Sequence, residues 1–368
     1  MKKRSSSRQN PKSAVKAKRS KQSVTIGMDL GDKTSRYCLL SDEGEILREG
    51  QVATTKAGMA GTFGRVGRAR IAIEVGTHSP WVSRLLRSFG HELIVANPRQ
   101  VKLITESSRK DDRLDAQTLA RLARIDPQLL RPIQHRSEKA QTALMVIRVR
   151  AALISARTSL VNTARALGER LPKCDADQMG VPQAESLPPN MQRVLEPLLK
   201  EVESLTEKIK YSDREIEQIA RIDYPETALL QQVGGVGPLI ALTFVLTVED
   251  KDRFQKSRDI GCYVGLRPRR SDSGQSQPQL RITKEGDPYL RTMLVQGAHY
   301  VLSRRGPDTD LKRWGLHLAE RGGKRAKKKA VVVVARKLGI LLHRLWATGE
   351  VYEPLRNQNR RMERKKAA

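Results

Sequence analysis

The sequence predicts an α/β domain near the N-terminal end, followed by a long helical region and a mainly α-helical C-terminal domain. Short apolar or alternating runs follow one another from Val24 onward, a pattern typical of strands. Beyond residue 137 the apolar residues recur at helical spacing instead. Across the 368 residues, 69 Lys and Arg against 40 Asp and Glu give a net charge of +29. We therefore expect two or three folded units whose surface suits a polyanion.

The first predicted element is a disordered basic arm over residues 1–23, because Lys, Arg, Ser and Gln dominate there and almost nothing is apolar. Folded structure is expected from 24 to 137. Its strand-like runs are VTIGMDL, YCLL, ARIAIEV and HELIVAN, with a helical pattern around Trp81 to Phe89 before the last run. The segment from Asp112 to Ile125 has apolar residues at helical spacing and closes this domain.

A helical region is predicted from 138 to 222. Two stretches with helical spacing, about Glu138 to Leu171 and Met191 to Ile222, flank the proline-rich segment VPQAESLPPN, which indicates a hairpin. The second stretch carries a heptad-like apolar seam interrupted by Ser212: Leu195, Leu198, Val202, Leu205, Ile209, Ile216 and Ile219. Such a seam serves either a coiled coil with another chain or packing within its own chain, and both interpretations stay open.

The C-terminal domain is predicted from 223 to 350, with a basic tail over 351–368. The segment VGGVGPLIA joins two apolar helical segments and resembles a helix-hairpin-helix element, whose backbone N–H groups at Gly235 and Gly237 would contact a phosphate. The alternative is a tight helix turn without a ligand. Two further helical runs are expected, at about Pro288 to Ser303 and Ala330 to Trp346.

The cysteines and the apolar runs indicate the compartment. Cys38, Cys174 and Cys262 are far apart and have neither metal-ligand nor redox spacing, so we expect core thiols in a reducing cytoplasm. No apolar run approaches the roughly 20 residues that cross a bilayer. We expect neither secretion nor membrane insertion, and no membrane partner.

Four acids form the first candidate site. Asp29 and Glu74 each end a strand-like run, while Asp112 and Asp115 lie one turn apart on the same helix face. Converging carboxylates are costly unless cations neutralise them, and Mg²⁺ prefers hard oxygen ligands, with Mn²⁺ as an alternative. In a strongly basic chain this pattern suggests two-metal chemistry on a phosphodiester.

Each acid also has a simpler interpretation: a turn residue, an exposed strand end, or favourable charges in the first turn of a helix. Asp111 is an alternative to Asp112, although the one-turn spacing to Asp115 favours the latter. The string GMDLGDKTS also resembles the first phosphate loop of actin-like ATPases and sugar kinases. That fold needs a second such loop after a strand, and the only nearby DxG string, Asp272 to Gly274, has polar neighbours.

A serine in a basic loop is the second candidate. Ser271 and Ser273 lie among arginines in GLRPRRSDSGQ, where a hydroxyl would stand beside cations able to bind phosphate. By itself such a serine more often binds phosphate or forms a turn than attacks it. The basic residues in and after this loop are candidates to contact nucleic acid: Arg267, Arg269, Arg270, Lys284 and Arg291.

Taken together, these motifs resemble one family, the IS110-type or DEDD insertion-sequence transposases, which are bridge-RNA-guided recombinases. GMDLG, AIEVGT, NPRQVK and KDDRLDA are similar to that family's RuvC-like, RNase H-fold domain and place its four acids on Asp29, Glu74, Asp112 and Asp115. GGVGP, GLRPR, DSG and RITKEGDPYLR are similar to its second domain and place its serine on Ser273. The resemblance covers about residues 24–346.

The resemblance implies several further properties. The serine would attack DNA and form a covalent phosphoserine link, assisted by the metal-bound carboxylates in a composite site. A homo-oligomer, dimer to tetramer, and a non-coding bridge RNA that pairs with target and donor DNA would be partners, in the nucleoid of a bacterial or archaeal cytoplasm. A junction-resolving nuclease would need the four acids but not Ser273, and an architectural nucleic-acid-binding protein would need neither.

Overall fold

The structure is a computed structural model, and it describes residues 24–97, 112–166, 171–271, 273–274, 276, 278, 280–323 and 325–357. Two compact units divide between His135 and Arg136. The predicted basic arm over 1–23 and Asp111 lie outside the described residues. Among the residues that are described, no helix combines the length and the apolar character needed to cross a bilayer.

The first unit is built on one mixed sheet of five strands: β1 Val24–Asp29, β2 Thr34–Leu40, β3 Ile46–Ala53, β4 Ala69–Glu74 and β5 Glu92–Ala96. Their order in the sheet is β3-β2-β1-β4-β5. Strand β1 pairs antiparallel with β2 and parallel with β4; β2 and β3 are antiparallel, and β4 and β5 are parallel. This confirms the predicted α/β organisation.

Helices cover both faces of this sheet. They are α1 Lys56–Phe63, α2 Ser79–Ser88 and α3 Asp112–Ile125. Met59, Phe63 and Val82 of α1 and α2 pack with Ile26 and Ile71 on one face. Helix α3 packs on the other face through small and medium side chains. The sheet is therefore buried in its centre, while its two edges differ in exposure.

Sequence patterns missed β3 and α1. Strand β3 has the sequence ILREGQVA and lies at the edge of the sheet, where most of its side chains are exposed. An edge strand needs little apolar alternation, so its pattern is weak. Helix α1 is short and contains Gly58 and Gly61, which favour a turn by composition. It begins because Thr55 accepts a hydrogen bond from the N–H of Gly58 as its N-cap.

In the second unit, two long helices pair within the chain, as the hairpin prediction required. They are α4 Glu138–Ala166 and α5 Pro189–Ile222. The buried stripe of α5 differs slightly from the predicted seam: Leu199 is buried, whereas Leu198 and Ile219 are half-buried. Ser212, the predicted interruption, is buried and donates its hydroxyl to the carbonyl of Lys208. A coiled coil with a second chain stays a prediction.

The remaining helices of the second unit surround one apolar core. That core is formed mainly by α7, α9 and α11. The predicted boundary at 222/223 lies inside this unit, because Ile216 and Ala220 of α5 pack with Leu242 and Leu246 of α7. The helices are α6 Thr227–Gln231, α7 Pro238–Val248, α8 Ile260–Tyr263, α9 Pro288–Leu302, α10 Asp310–Glu320 and α11 Ala326–Thr348.

Helix α10 was not predicted from the sequence. Its N-cap Thr309 accepts a hydrogen bond from the N–H of Lys312, and its buried positions are few. The first residues of the predicted basic tail also pack here, since the N–H of Asp310 donates to the carbonyl of Pro354 at 2.8 Å. Of the predicted core thiols, Cys38 is fully buried, while Cys174 and Cys262 are half-buried.

Candidate active site

Asp29 and Glu74 lie side by side at the carboxyl ends of two parallel strands. The register of β1 and β4 pairs Met28 with Ile73, and each acid follows directly. Met28 and Ile73 are fully buried, whereas both acids are half-buried. Because aligned residues of parallel neighbours point to the same face, the two carboxylates emerge on one face of the sheet.

Helix α3 reaches the same face because β1 offers no side chain at Gly27. A Cβ at Gly27 would lie 2.1 Å from the carbonyl oxygen of Ala116 and 2.3 Å from the backbone nitrogen of Ala120. The residues paired with Gly27, Cys38 on β2 and Ala72 on β4, are also small. This close approach brings the first turn of α3, with its two acids, beside the ends of β1 and β4.

The pKa values of Asp29 and Glu74 are shifted by burial and by the other acids nearby. The pKa of Asp29 is raised to about 6, chiefly by burial and also by the charges of Asp112 and Asp115, while a hydrogen bond from the N–H of Leu30 opposes the shift. Burial likewise raises the pKa of Glu74, and the charges of Asp29 and Asp115 add to it. The predicted acids therefore lie within electrostatic range of one another: Asp112 and Asp115 of Asp29, and Asp29 and Asp115 of Glu74. Asp115 is half-buried, and Asp112 is exposed at the start of α3.

This donor set suits a hard divalent cation in its chemistry. Among the described residues, the side-chain charges that shift the pKa values of Asp29 and Glu74 belong to other carboxylates, which repel them. Oxygen ligands under mutual repulsion are what Mg²⁺ or Mn²⁺ stabilises. Within the described residues, however, no three acidic, His or Cys side chains already stand close enough to hold one ion. The acids have the ligand chemistry that such an ion prefers, and its binding here stays a prediction.

A histidine at the same edge was missed by the sequence analysis. His78 follows β4, and its Nε2 lies 3.0 Å from Oδ1 of Asp32, which follows β1. The indole Nε1–H of Trp81 donates to Nδ1 of His78 at 3.2 Å. With Nδ1 as an acceptor, Nε2 carries the proton and donates to Asp32. The pair ties together the two loops that follow the acid-bearing strands, a contact between residues 46 positions apart that no local pattern indicates.

Ser273 lies at the tip of a hairpin that we call the serine arm, residues 265–286. Arg269 N–H donates to the carbonyl of Arg281, and Thr283 N–H donates to that of Arg267, both at 2.9 Å. At the tip Ser273 and Ser276 exchange backbone hydrogen bonds of 3.2 and 3.0 Å around Gly274, whose φ is +55°. Ser271 and Ser273 are both exposed, so the geometry leaves either hydroxyl accessible.

The predicted nucleic-acid contacts fall into two groups. Four of them are exposed on the serine arm: Arg267, Arg269, Arg270 and Lys284. Arg291 instead lies in the first turn of α9, half-buried, and donates to two backbone carbonyls. The exposed group is accessible to a phosphate, although Nη1 of Arg267 also donates to Sγ of Cys262 at 4.0 Å, while Arg291 is engaged with its own chain.

In the segment VGGVGPLIA, the two glycines predicted to contact a phosphate, Gly235 and Gly237, have different surroundings. Gly235 has φ of +89°, and a Cβ there would lie 3.0 Å from the carbonyl oxygen of Gly297 and 3.0 Å from the ring of Tyr300. It therefore allows the hairpin to pack against α9. Gly237 is the N-cap of α7, and a Cβ there would meet nothing within 4 Å. A phosphate contact at this hairpin stays a prediction.

Comparisons with known proteins match two segments of this chain to transposases, and the first of these segments crosses the boundary between the two units. A family model for the DEDD transposase domain of the IS110 type matches residues 26–169, and a model of the IS116/IS110/IS902 transposase family matches residues 227–312. The transposase for insertion sequence element IS1111A of Coxiella burnetii is 28% identical over 355 residues, covering 92% of this chain and 93% of that relative. The transposase for IS1328 of Yersinia enterocolitica is 28% identical over 245 residues, 64% and 71% of the two chains.

Proposed function

Because this chain belongs to the IS110 family of insertion-sequence transposases, we propose that it excises and inserts its own element by joining carboxylate and serine chemistry. As a transposase it is an enzyme that acts on DNA. The mixed sheet and α3 form its RNase H-like DEDD domain. The proposal concerns how the two candidate sites take part in strand transfer.

The strongest support for the carboxylate part is the mutual electrostatic influence of the four acids. Asp29, Glu74, Asp112 and Asp115 would hold Mg²⁺ or Mn²⁺, which when bound supplies positive charge to the oxygens of a phosphodiester. Asp29 and Glu74 end buried strands, so their positions in the site are fixed by the sheet. The acids of α3 approach them through the contact at Gly27.

The serine part rests on the exposed tip of the serine arm. Ser273 Oγ would lose its proton and form a bond to phosphorus while the bond from phosphorus to a deoxyribose oxygen breaks, and the released oxygen would take up a proton. The arginines of the arm, Arg267, Arg269 and Arg270, would neutralise the non-bridging oxygens during the attack. Ser271, which is also exposed, is the alternative nucleophile.

A bridge RNA and an oligomer complete the proposal. Only 4% of residues are aromatic, which leaves few side chains to stack on bases, whereas the +29 charge suits backbones. Sequence choice is then delegated to base pairing in RNA. Assembly into a dimer or tetramer is supported by Met145 and Val149, large apolar side chains exposed one turn apart on α4.

The activity is tested by incubating the protein with Mg²⁺, DNA carrying the element's ends, and RNA transcribed from beside its gene. We expect nicked and joined DNA and a covalent protein-DNA species. Cleavage without any covalent species would favour a metal-dependent nuclease. DNA binding without cleavage in any divalent cation would favour an architectural role.

The RNA is tested by sequencing what co-purifies with the protein at moderate salt. We expect one structured transcript encoded beside the gene, and loss of recombination when it is removed. Random cellular RNA, together with site-specific recombination after nuclease treatment, would contradict the RNA-guided part and leave the cleavage chemistry standing.

A further inference from the structure

We propose that Arg291 is a positioning residue for Ser273: its guanidinium joins the two feet of the serine arm and so sets the direction in which the arm presents its tip. We define the feet as two short segments at the base of the arm. The entering foot is residues 264–266, which starts one residue before the arm, and the returning foot is residues 284–286. The inference rests on the proposed function in one respect, that Ser273 is the group presented.

The feet are joined by a backbone hydrogen bond, from the N–H of Lys284 to the carbonyl of Gly265 at 3.0 Å, and by one side-chain nitrogen. Arg291 Nη1 donates to the carbonyl of Val264 at 3.0 Å and to the carbonyl of Glu285 at 2.9 Å. The first carbonyl belongs to the entering foot and the second to the returning foot. Because hydrogen bonds from a charged donor are stronger than neutral ones, the guanidinium contact is expected to hold the feet more strongly than the backbone hydrogen bond between them.

The backbone of the feet is already crowded at their crossing. A Cβ at Gly265 would lie 2.1 Å from the carbonyl oxygen of Glu285, and a Cβ at Gly286 would lie 1.8 Å from that of Tyr263. Gly265, Lys284 and Gly286 all have positive φ, of +68°, +58° and +76°. A lysine in this region is strained, and such strain persists only where its surroundings hold it. Arg291 is the side chain placed to hold it.

The N-terminal end of α9, which carries Arg291, is held in place by hydrogen bonds and by the apolar core. Asp287 caps α9 by accepting from the N–H groups of Tyr289 and Leu290 at 2.9 Å, and Nη2 of Arg148 on α4 donates to the same carboxylate at 3.0 Å. Leu290 is fully buried in the core of the second unit. A change in the feet therefore shifts the arm against a fixed base, and small rotations at the feet become large displacements at the tip.

The other basic residues at this arm have a different setting. Arg269 and Arg270 are exposed on the arm itself, so a phosphate can reach them. All of these arginines were predicted to contact nucleic acid, but Nη1 of Arg291 already donates to both feet. A phosphate contact and a positioning contact predict different measurements: the first alters affinity and its salt dependence, and the second alters the rate at bound DNA.

The first experiment compares Arg291→Gln, Arg291→Lys and Arg269→Gln for DNA affinity across salt concentrations and for the rate of covalent adduct formation at saturating DNA. We expect Arg291→Gln to keep the salt slope and lose about 10- to 100-fold in rate, since misplacement of about 1 Å has that effect. Arg291→Lys should recover part of the rate, because an amine can still donate to a carbonyl. Arg269→Gln should reduce the salt slope by about 1.

The second experiment measures the arm without chemistry. Spin labels are placed at Ser273→Cys and at His317→Cys, an exposed position on α10, in a chain with Cys174 and Cys262 replaced by serine. We expect a narrow distance distribution with Arg291, a broad one with Arg291→Gln, and an intermediate one with Arg291→Lys. Should the glutamine variant not fold, the lysine variant gives the same comparison.

An unchanged distance distribution in a folded Arg291 variant, with a reduced salt slope, would overturn the inference and make Arg291 a phosphate contact. The two proposals fail separately. If the unaltered protein forms no serine adduct, the serine chemistry is wrong, while the distance distributions still decide whether Arg291 orients the arm.

Discussion

The carboxylate cluster and the serine arm differ in how the fold holds their reactive groups. Asp29 and Glu74 end buried strands and are half-buried themselves, at an electrostatic cost that raises their pKa values. Ser273 is exposed at the tip of a hairpin that is held by hydrogen bonds between its own strands and by Arg291 at its feet. The buried core thus fixes the position of the carboxylate cluster. The position of Ser273 depends on a few hydrogen bonds within the serine arm and at its opposite end.

That difference predicts different failures. A change at the cluster alters charge within a rigid frame, so it affects chemistry or stability with little movement. A change at the arm leaves stability nearly intact and alters where the hydroxyl goes. Variants that separate these outcomes test the comparison directly.

The largest effect is expected from neutralising the acids. Asp29→Asn, Glu74→Gln or Asp115→Asn should each reduce strand cleavage by about 1000-fold or more, equivalent to about 4 kcal/mol, because each removes a charge that holds the cation. Affinity for DNA should be kept, since the site becomes less negative. Cleavage and binding assays on the same preparations check this. Normal cleavage by all three variants, or full activity in excess chelator, would rule out the carboxylate site.

The next effect concerns the contact that brings α3 to the sheet. Gly27→Ala places a methyl group 2.1 Å from the carbonyl oxygen of Ala116, so α3 must shift. Overpacking of this kind costs about 1–3 kcal/mol. Thermal unfolding should show the loss, and cleavage should fall further than stability alone explains because Asp112 and Asp115 move. Unaltered stability and activity would show that α3 is not held there.

Much of the first unit could be predicted from the sequence. The strands that carry Asp29 and Glu74 are apolar enough to be recognised, and α3 was predicted with the bounds it has. The proximity of the acids follows from strand ends and helix spacing. The role of Gly27 could not be predicted in this way. Whether a glycine is needed depends on the atoms that lie opposite it, here those of Ala116 and Ala120.

Other features could not be predicted from local sequence patterns. The His78–Asp32 contact depends on two loops that only the sheet topology brings together. Arg291 has the same sequence character as Arg269, and only the positions of two carbonyls distinguish them. Sequence gives the kind of side chain available, whereas partners distant along the chain decide what it does.

A smaller effect is expected from the pKa of Asp29. Its folded value of about 6 exceeds the ordinary 3.8, so the folded state loses stability as the pH rises through this interval and keeps that deficit above it. In chelator at pH 8, Asp29→Asn should therefore stabilise the first unit by about 1–2 kcal/mol, after allowance for partial exposure. The gain should shrink toward pH 4. Hydrogen exchange of β1 and β4 measures it, and a destabilised variant at pH 8 would contradict the assigned shift.

The smallest effect provides a matched control for Gly27. Gly61 lies in α1, and a Cβ there would meet nothing within 4 Å. Gly61→Ala should stabilise the protein by about 0.5–1 kcal/mol, because alanine loses less backbone freedom in a helix. Thermal unfolding beside Gly27→Ala should give opposite signs. Equal destabilisation by both substitutions would mean that the contact at Gly27 is not special.

The most direct measurement is the chemical identity of the DNA attachment. The protein is incubated with Mg²⁺, its element's ends and its RNA, digested, and the DNA-linked peptide is sequenced by mass spectrometry. We predict a phosphodiester on Ser273, absent from Ser273→Ala and from Asp29→Asn, and reduced but present in Ser271→Ala. An attachment at Ser271, or DNA nicked and joined at the normal rate by Ser273→Ala, would contradict the joint action of the carboxylate cluster and the serine arm.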